Sequence, residues 1–364
     1  MKSLIAAATL ASTVALAVVP HAGAKSLAPT KNGKITCTDN KNVAKDLSIR
    51  VEGETATARF AVPKKKPTGL VVFDHGYGHT SASWVEHMKK AAAKHGVIAV
   101  TPDYRGAPIT PDTNNDGLPE SRGWDVMAGA EDTIALAKLF DAKCPSIEKI
   151  IVLGVSMGGN TSGLAVAMSK GIKRSDGKPL FDYWVDVEGA VNVTETYFEA
   201  RVLAPANDFA ARAVEDIEKE MGGTFEENPE AYQNHTVVAR IEDIKASGVK
   251  GVVMIHGVDD GLVPYNQARE MKTALTAEQI PNDIFTVGRE DAKTDGDTSL
   301  TGYAGSQLDP NYDSPIAGHA SEKSEVHIVM TTAFGQLWSL FEGNEPGPAR
   351  EFLVDGEAGT VPLP

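Results

Sequence analysis

Short runs of consecutive apolar residues alternate along this chain with longer segments whose apolar positions recur every three to four residues. The apolar runs fall at residues 70–73, 97–101, 150–153, 183–187, 251–255 and, as the last predicted strand, 283–287. The segments with helical spacing fall at residues 83–95, 124–140, 160–170, 264–275 and 326–341. Strands that are apolar throughout are buried on both faces, which is typical of parallel sheets. The pattern therefore predicts an α/β fold with a doubly wound, mostly parallel sheet.

Four segments depart from this alternation. Residues 46–62 alternate between apolar and polar, which predicts a hairpin at the sheet edge. Residues 192–248 hold helical patterns but no strand, so we expect a helical cap over the carboxyl ends of the strands, where such sheets bind ligands. The cap helices are predicted at residues 209–221 and 229–244. Residues 288–317 are rich in Gly, Asp, Thr and Ser and predict a long loop, and the tail after residue 343 predicts an extended strap.

The N-terminus has the pattern of a secretory signal peptide. Lys2 precedes an apolar stretch at residues 4–19, and the small residues before Ala24 suit a cleavage site. We therefore expect a signal peptide over residues 1–24 and a catalytic domain over residues 25–364. Because no later segment predicts a membrane span, the expected location is secreted or periplasmic, without stable membrane insertion.

The net charge limits the classes of partner that the protein can bind, and the cysteine content bears on the redox state of its compartment. The formal net charge of -14 argues against nucleic acid and against anionic membrane surfaces as partners. The two cysteines, Cys37 and Cys144, would stand in an oxidising compartment, where we expect a disulfide between them in preference to two buried thiols. Neither cysteine has the spacing of a metal ligand.

Ser156 is the strongest candidate for a nucleophile. It lies at the centre of Gly154-Val155-Ser156-Met157-Gly158, directly after a predicted strand and before a predicted helix. Such a turn, called a nucleophile elbow, lifts the serine Oγ clear of its own backbone, and its glycines remove the Cβ atoms that would clash. The alternative interpretation is a Gly-rich turn with an incidental serine.

Acyl transfer by a serine also needs a base, a carboxylate that holds the base, and N–H donors for the oxyanion. Segments 74–79 and 256–264 each follow a predicted strand directly, and His319 and His327 stand later in the chain. This order of serine, acid and histidine on a parallel sheet resembles the α/β-hydrolase superfamily. The resemblance covers nearly all of residues 25–364 and implies an α/β-hydrolase fold.

The resemblance also implies which carboxylate serves as the acid. In the superfamily the acid is the aspartate of a His-Gly-x-x-Asp motif that comes directly after a strand. This aspartate maps onto Asp260 in this sequence. The adjacent Asp259 is the nearest alternative. Asp186 and Glu188, at the end of the preceding predicted strand, are weaker alternatives.

Two backbone N–H groups are implied as the oxyanion donors. The residue after His-Gly at the first strand end supplies one of them in the superfamily, and this position maps onto Tyr77. The residue after the nucleophile supplies the other, and it maps onto Met157. Removing one such donor costs about 3 kcal/mol of transition-state stabilisation.

The base remains open between two histidines. His319 lies in a Gly-His pair ahead of the last predicted helix, and His327 lies at the start of that helix. We favour His319, since a loop gives a base the reach to serve both Ser156 and Asp260, and we expect its pKa at about 6 to 7. The long segment 288–317 departs from the superfamily pattern, in which the base follows the final strand closely.

A separate polar segment has features of a calcium loop. Asp112, Asn114 and Asp116 alternate before a glycine, as at the start of an EF-hand loop. Gly123 occupies position twelve, where an EF-hand has its bidentate glutamate. We therefore favour an Asx-rich turn over a weak calcium site and predict no metal site.

These features predict a secreted serine hydrolase that cleaves carboxylic esters, of the carboxylesterase or lipase type, through an acyl-enzyme on Ser156. The chemistry needs no cofactor, and the expected partner is a small-molecule or polymeric ester; the oligomeric state stays open. Residues 123–124, 131–133 and 228–232 resemble segments of the dienelactone-hydrolase-like and prolyl-oligopeptidase-like branches. A prolyl-oligopeptidase-like peptidase or amidase is therefore one alternative. Another is a non-catalytic binding protein on a hydrolase fold, although such proteins usually lose the serine, the base or the oxyanion turn.

Overall fold

The computed structural model describes residues 35–111, 118–258, 260–288, 319–322, 327–355 and 359–362. Several sequence-based expectations fall outside these residues: the signal peptide, nearly all of the loop at 288–317, the alternative acid Asp259, and the calcium candidates Asp112, Asn114 and Asp116. The described residues build a ten-stranded sheet with apolar clusters on both of its faces.

The main sheet is mostly parallel, which confirms the predicted fold class. Its strands are β1 (Lys45–Val51), β2 (Glu54–Ala61), β3 (Gly69–Asp74), β4 (Ile98–Pro102), β7 (Lys149–Val155), β8 (Tyr183–Val187), β9 (Gly251–Gly257), β10 (Asn282–Val287), β11 (Arg350–Asp355) and β12 (Gly359–Pro362). They lie in the order β1-β2-β4-β3-β7-β8-β9-β10-β11-β12. The pairs from β4 to β11 are parallel, whereas β1 with β2, β2 with β4, and β11 with β12 are antiparallel. A separate two-stranded ladder pairs β5 (Ile109–Thr110) with β6 (Glu120–Ser121).

The helices are α1 (Val85–Lys90), α2 (Val126–Lys143), α3 (Met157–Met168), α4 (Val193–Leu203), α5 (Asp208–Met221), α6 (Pro229–His235), α7 (Ile241–Ser247), α8 (Asn266–Ala277) and α9 (Ile328–Glu342). The single helix predicted over 83–95 is divided, since a 3-10 turn precedes α1 and a π-helical turn follows it. Gly96 then ends the segment with a left-handed φ of 69°. Within the described ranges, we find no helix with both the length and the apolar character that crossing a membrane requires.

Alternate residues of the central strands face opposite sides of the sheet, as a pleated strand requires. In β3, Val72 packs in a cluster with Leu136 of α2, and the next residue, Phe73, packs in a second cluster with Leu337 of α9. All four side chains are buried. The parallel strands thus run between two helical layers, and their carboxyl ends form one edge where Ser156 follows β7 and Asp260 follows β9.

Residues 192–248, which we call the cap segment, are helical from α4 to α7 and contain no strand. The prediction of one helix over 229–244 is wrong, because Thr236 takes an extended backbone and its hydroxyl bonds back to the Tyr232 carbonyl. Helix α4 was not predicted. Its N-cap residue is Asn192, whose side chain accepts from the Glu195 N–H, and the helix buries only Val193 and Tyr197. A helix with so narrow a buried stripe leaves little apolar periodicity to detect.

The tail after residue 343 is not only an extended strap. Residues 350–355 form β11, which pairs parallel with β10, so the prediction of 283–287 as the last strand is wrong. Arg350 and Asp283 form an ion pair at 2.6 Å between these two strands. The strand was missed because its place in the sheet depends on this pairing with a distant segment.

A disulfide joins Cys37 to Cys144, as predicted, with the two Cα atoms 5.7 Å apart. Cys144 caps the C-terminus of α2 just ahead of β7, and its side chain is buried. The bond therefore ties the first described residues of the chain to the centre of the sheet.

We expect removal of this disulfide to lower the free energy of unfolding by about 2 to 5 kcal/mol, because it closes a loop of 107 residues in the unfolded chain. Urea unfolding of the oxidised protein and of a Cys37→Ser/Cys144→Ser variant measures the difference. Alkylation of the unreduced, denatured protein serves as the control, and two reactive thiols there would contradict the bond.

Candidate active site

Ser156 occupies a tight turn between β7 and α3. Its backbone lies at φ 58° and ψ -124°, a strained conformation for a residue with a side chain. A Cβ atom on Gly154 would overlap the Gly158 carbonyl, and a Cβ on Gly158 would overlap the Asp74 carbonyl. The turn is therefore possible only with glycine at both positions, and it presents Ser156 to a cavity at the carboxyl edge of the sheet.

Asp260 and His319 form a buried pair at the same edge. Oδ2 of Asp260 lies 2.7 Å from Nδ1 of His319, and both residues are buried. The other oxygen, Oδ1, accepts hydrogen bonds from the backbone N–H groups of Leu262 at 2.9 Å and Val263 at 2.8 Å. Because the carboxylate is held from one side, it can fix the imidazole with Nδ1–H donating and Nε2 left to accept a proton.

The structure separates Asp260 from the two alternative acids that it describes, Glu188 and Asp186. Glu188 Oε2 lies 3.7 Å from His319 Nδ1, and the Glu188 oxygens accept from the N–H groups of Gly257 at 3.0 Å and Ala320 at 2.6 Å. Glu188 thus braces the two backbone segments around the pair. Burial raises the pKa of Asp186 to about 7, and its side chain lies against the glycine at 189.

The two candidate bases lie in different environments. His319 contacts Asp260, whereas His327 is the N-cap residue of α9 and its Nδ1 accepts from the Val329 N–H at 3.3 Å. His327 is fully buried at this position. Of these two candidates, His319 is the one whose described contacts include a carboxylate at Nδ1, as a base requires.

The electrostatics of the pair differ from the sequence-based expectation. Burial opposes a charged imidazole, but the carboxylates of Asp260, Glu188 and Glu322 outweigh it and raise the pKa of His319 to about 9. In turn, His319 and His256 overcome the effect of burial and lower the pKa of Asp260. The expected pKa of about 6 to 7 for His319 is wrong because a sequence does not reveal that three carboxylates meet there.

We expect kcat/KM to rise with pH through the alkaline range, because only neutral imidazole accepts the serine proton. The pKa of His319 is raised on folding, so its stabilising contribution is complete below about pH 6.5 and is lost as pH rises towards 9. The enzyme therefore becomes active over the same pH range in which the contribution of His319 to the free energy of unfolding is lost. Initial rates between about pH 5 and 10, with circular dichroism as the folding control, measure it. A plateau already reached at about pH 6 would contradict the expectation.

The turn at residues 75–77 lies directly beside the serine. A Cβ on Gly76 would stand 3.5 Å from the Ser156 Cβ. Tyr77 lines the same cavity as Ser156, and its hydroxyl donates to Asp216 of α5 at 2.5 Å. Met157 is the first residue of α3, where backbone N–H groups have no partner inside the helix. This placement is compatible with the oxyanion roles proposed for Tyr77 and Met157.

Sequence reasoning missed one buried acid of the site. Glu322 accepts hydrogen bonds from the Gly76 N–H and the Ser83 hydroxyl and pairs with His79. The available signal was its position three residues after His319. Nothing in the local pattern indicated that it is buried.

The cavity beside Ser156 has a volume of about 480 Å³ and is lined by residues of both the sheet edge and the cap segment. Its described lining is mainly apolar and includes the aromatic side chains of Tyr77, Trp124, Phe198 and Phe209. The acid in this lining is Glu199 of α4. Such a cavity suits an apolar group attached to the atom that Ser156 would attack.

Metal binding is a second possible role for the buried acids. The ligand atoms of Glu188, Asp260 and His319 lie within 4.8 Å of one another. Backbone N–H groups already engage both carboxylates, and His319 Nδ1 bonds to Asp260. The trio therefore fits proton transfer better than cation binding.

Comparison with known proteins agrees with this geometry. The model of the alpha/beta hydrolase family matches residues 71–318. Acyl-protein thioesterase 1 of Mycosarcoma maydis is 32% identical over 121 residues, which span 27% of this chain and 50% of that protein. The chain thus matches about half the length of this relative.

Solved structures share the fold at low sequence identity. A puromycin-hydrolyzing peptidase of Mycobacterium tuberculosis superposes with a TM-score of 0.51 at 17% identity, over 85% of this chain and 41% of that one. An acylaminoacyl peptidase of Pyrococcus horikoshii gives 0.52 at 13% identity, over 88% and 42%. This chain corresponds to less than half of each peptidase, so the likeness concerns the fold alone.

Proposed function

This chain belongs to the alpha/beta hydrolase family, and we propose that it is a serine hydrolase that cleaves carboxylic esters through an acyl-enzyme on Ser156. The observation that carries the proposal is the buried hydrogen bond between Asp260 and His319 at the sheet edge where Ser156 stands in a nucleophile elbow. A base held by a carboxylate near a strained serine serves acyl transfer.

In the proposed mechanism, Ser156 Oγ attacks the ester carbonyl carbon while Nε2 of His319 takes the hydroxyl proton. Asp260 keeps the imidazole in the required tautomer and stabilises the imidazolium. The N–H groups of Tyr77 and Met157 hold the oxyanion. The C–O bond to the alcohol then breaks, and His319 gives its proton to the departing oxygen. Water, activated by the same histidine, releases the acid and restores the serine.

The cavity supports an apolar ester as substrate. Its aromatic lining offers large apolar area, and each buried Å² of apolar surface stabilises a complex by about 25 cal/mol before the costs of binding. An extended peptide would need polar partners for its main chain, and this lining offers few. We therefore place esters ahead of peptides and amides.

The test compares three substrates that share one butyryl group: a p-nitrophenyl ester, a thioester and a p-nitroanilide. We expect the ester to give the highest kcat/KM and the anilide the lowest. Faster cleavage of the anilide than of the ester would favour the peptidase alternative. No turnover of any of the three would favour a non-catalytic binding protein.

Glu199 is expected to make the enzyme discriminate against anionic esters. Burial raises the pKa of Glu199 to about 7, with Glu195 and Asp260 contributing, so it carries negative charge in mildly alkaline solution. We expect Glu199→Gln to raise kcat/KM for mono-p-nitrophenyl succinate relative to p-nitrophenyl butyrate by about 10-fold at pH 8.5, because the repulsion is removed. The matched control is Glu215→Gln, an exposed cap residue, for which an unchanged ratio is expected. An equal change for both esters in Glu199→Gln would contradict the prediction.

A further inference from the structure

Glu322 is a buried carboxylate that the proposed mechanism leaves without a task. It is 1% exposed and lies three residues after His319. Its Oε1 accepts a hydrogen bond from the Gly76 N–H at 3.2 Å and another from the Ser83 hydroxyl at 3.0 Å. A buried carboxylate is costly to keep, so its partners indicate what it does.

The carboxylate is ionised and paired. Nδ1 of His79 lies 2.5 Å from Oε1 of Glu322. Burial alone would raise the pKa of Glu322, but the pairing with His79 lowers it to about 2. Glu322 is therefore an anion throughout the pH range in which His319 can act as a base.

Glu322 connects two segments that hold different parts of the proposed machinery. One is its own turn, residues 319–322, which carries the base. The other is the turn at residues 75–77, which carries the oxyanion donor Tyr77. Its Gly76, which contacts Glu322, lies 246 residues before Glu322 in the sequence. A Cβ on Gly76 would stand 3.5 Å from both Glu322 Oε2 and the Ser156 Cβ, so Gly76 lies next to the carboxylate on one side and to the nucleophilic residue on the other.

Such a contact matters because oxyanion donors act only when they are held in place. Hydrogen bonds to a developing negative oxygen need a position accurate to about 0.5 Å, and a peptide turn without a brace does not guarantee it. The Gly76 N–H is one residue before that of Tyr77, so anchoring the first peptide restricts the orientation of the next.

We propose that Glu322 is a positioning residue, which anchors the Gly76 N–H so that the Tyr77 N–H is aimed at the oxyanion of the transition state. The inference rests on the proposed serine-hydrolase function. We infer that catalysis requires the length of the Glu322 side chain, which brings its carboxylate to the Gly76 N–H, and not merely its charge.

Two variants separate reach from charge. Glu322→Gln keeps the length of the side chain and an acceptor oxygen for Gly76 but loses the charge. Glu322→Asp keeps the charge but withdraws the oxygens by about one C–C bond, about 1.5 Å. We expect Glu322→Asp to lower kcat for p-nitrophenyl butyrate by about 100-fold with KM changed less than about threefold, and Glu322→Gln to lose less than about 10-fold.

A tetrahedral inhibitor provides a readout that a loss of folding stability does not imitate. A butyl trifluoromethyl ketone, which forms an oxyanion on the serine, should bind Glu322→Asp more weakly by the same factor as the loss in kcat/KM. The matched control is Glu86→Gln on α1, a glutamate with a side chain 62% exposed, for which kinetics and inhibition should stay unchanged. Thermal unfolding of each variant verifies the fold.

Three results would overturn the inference: Glu322→Asp as active as the unaltered enzyme, Glu322→Gln folded but losing well over 10-fold in kcat, or inhibitor affinity unchanged while kcat falls. If Glu322→Asp does not fold, the test rests on Glu322→Gln, and a folded Glu322→Gln that loses well over 10-fold in kcat would still overturn the inference. Failure of the unaltered enzyme to hydrolyse any ester would instead count against the proposed function, so the two claims fail separately.

Discussion

Replacing Ser156 by alanine is expected to lower kcat for ester hydrolysis by about 10⁶-fold, because the acyl-enzyme cannot form without the hydroxyl. The fold should be unaffected. Alanine keeps the Cβ atom that already stands at φ 58°, so the backbone strain of the turn does not change. Initial rates with p-nitrophenyl butyrate and thermal unfolding of the same preparations measure the two effects.

The control for this prediction is Ser175→Ala, which should keep full activity. Ser175 is exposed, and its neighbour Arg174 contacts the Glu148 carbonyl just before β7, at the opposite end of that strand from Ser156. Residual activity of Ser156→Ala above a few per cent, after exclusion of contaminating esterase, would remove Ser156 from the mechanism. A large fall in the unfolding temperature would show that the serine has a structural role instead.

Replacing His319 by alanine is expected to reduce kcat nearly as much as Ser156→Ala. The residues of a triad act as a unit, so the double variant should be hardly worse than either single variant. The physical reason is the geometry: His319 is the histidine whose Nδ1 lies 2.7 Å from the buried Asp260 carboxylate. Rates of the two single variants and the double variant, each corrected for folded fraction, complete the cycle.

His327→Ala is the matched comparison for this second prediction. His327 caps α9 by accepting from the Val329 N–H, so its loss should lower the free energy of unfolding by about 1 kcal/mol and change the rate by at most about tenfold. An inactive His327→Ala with an active His319→Ala would reverse the assignment of the base. Activity in both variants would contradict a histidine-dependent mechanism.

The sequence predicts well those features that arise from neighbouring residues. The elbow at Ser156 follows from a buried strand, two glycines and a helix in direct succession, and the glycines are required sterically as expected. The parallel sheet follows from apolar runs that need burial on both faces. The edge hairpin β1–β2 was predicted from its alternating pattern.

Features that depend on distant contacts were missed or mistaken. Glu322 meets Gly76 across 246 residues, and no local period signals that contact. The pKa of His319 depends on carboxylates from three separate segments, among them Glu188 at the end of β8. Strand β11 takes its place by pairing in parallel with β10, and Arg350 forms an ion pair with Asp283 across the two strands. In each case the deciding interaction forms only when the sheet edge is assembled.

The acid illustrates the difference between naming a residue and explaining it. A resemblance pointed to Asp260, but Glu188 is also buried and lies near the same imidazole. Their partners differ. Asp260 has one oxygen held by the backbone and the other directed at His319, whereas both Glu188 oxygens accept from backbone N–H groups. Only the folded chain shows that distribution.

The central claim is that Ser156 is a nucleophile activated by His319, and covalent labelling tests it most directly. The protein is treated with a fluorophosphonate at pH 8.5, digested, and the modified residue is located by tandem mass spectrometry. We predict one phosphonyl group per chain, attached to Ser156, with labelling strongly slowed in His319→Ala and unchanged in Ser175→Ala. Labelling of another residue, or no labelling of the folded protein, would contradict the claim.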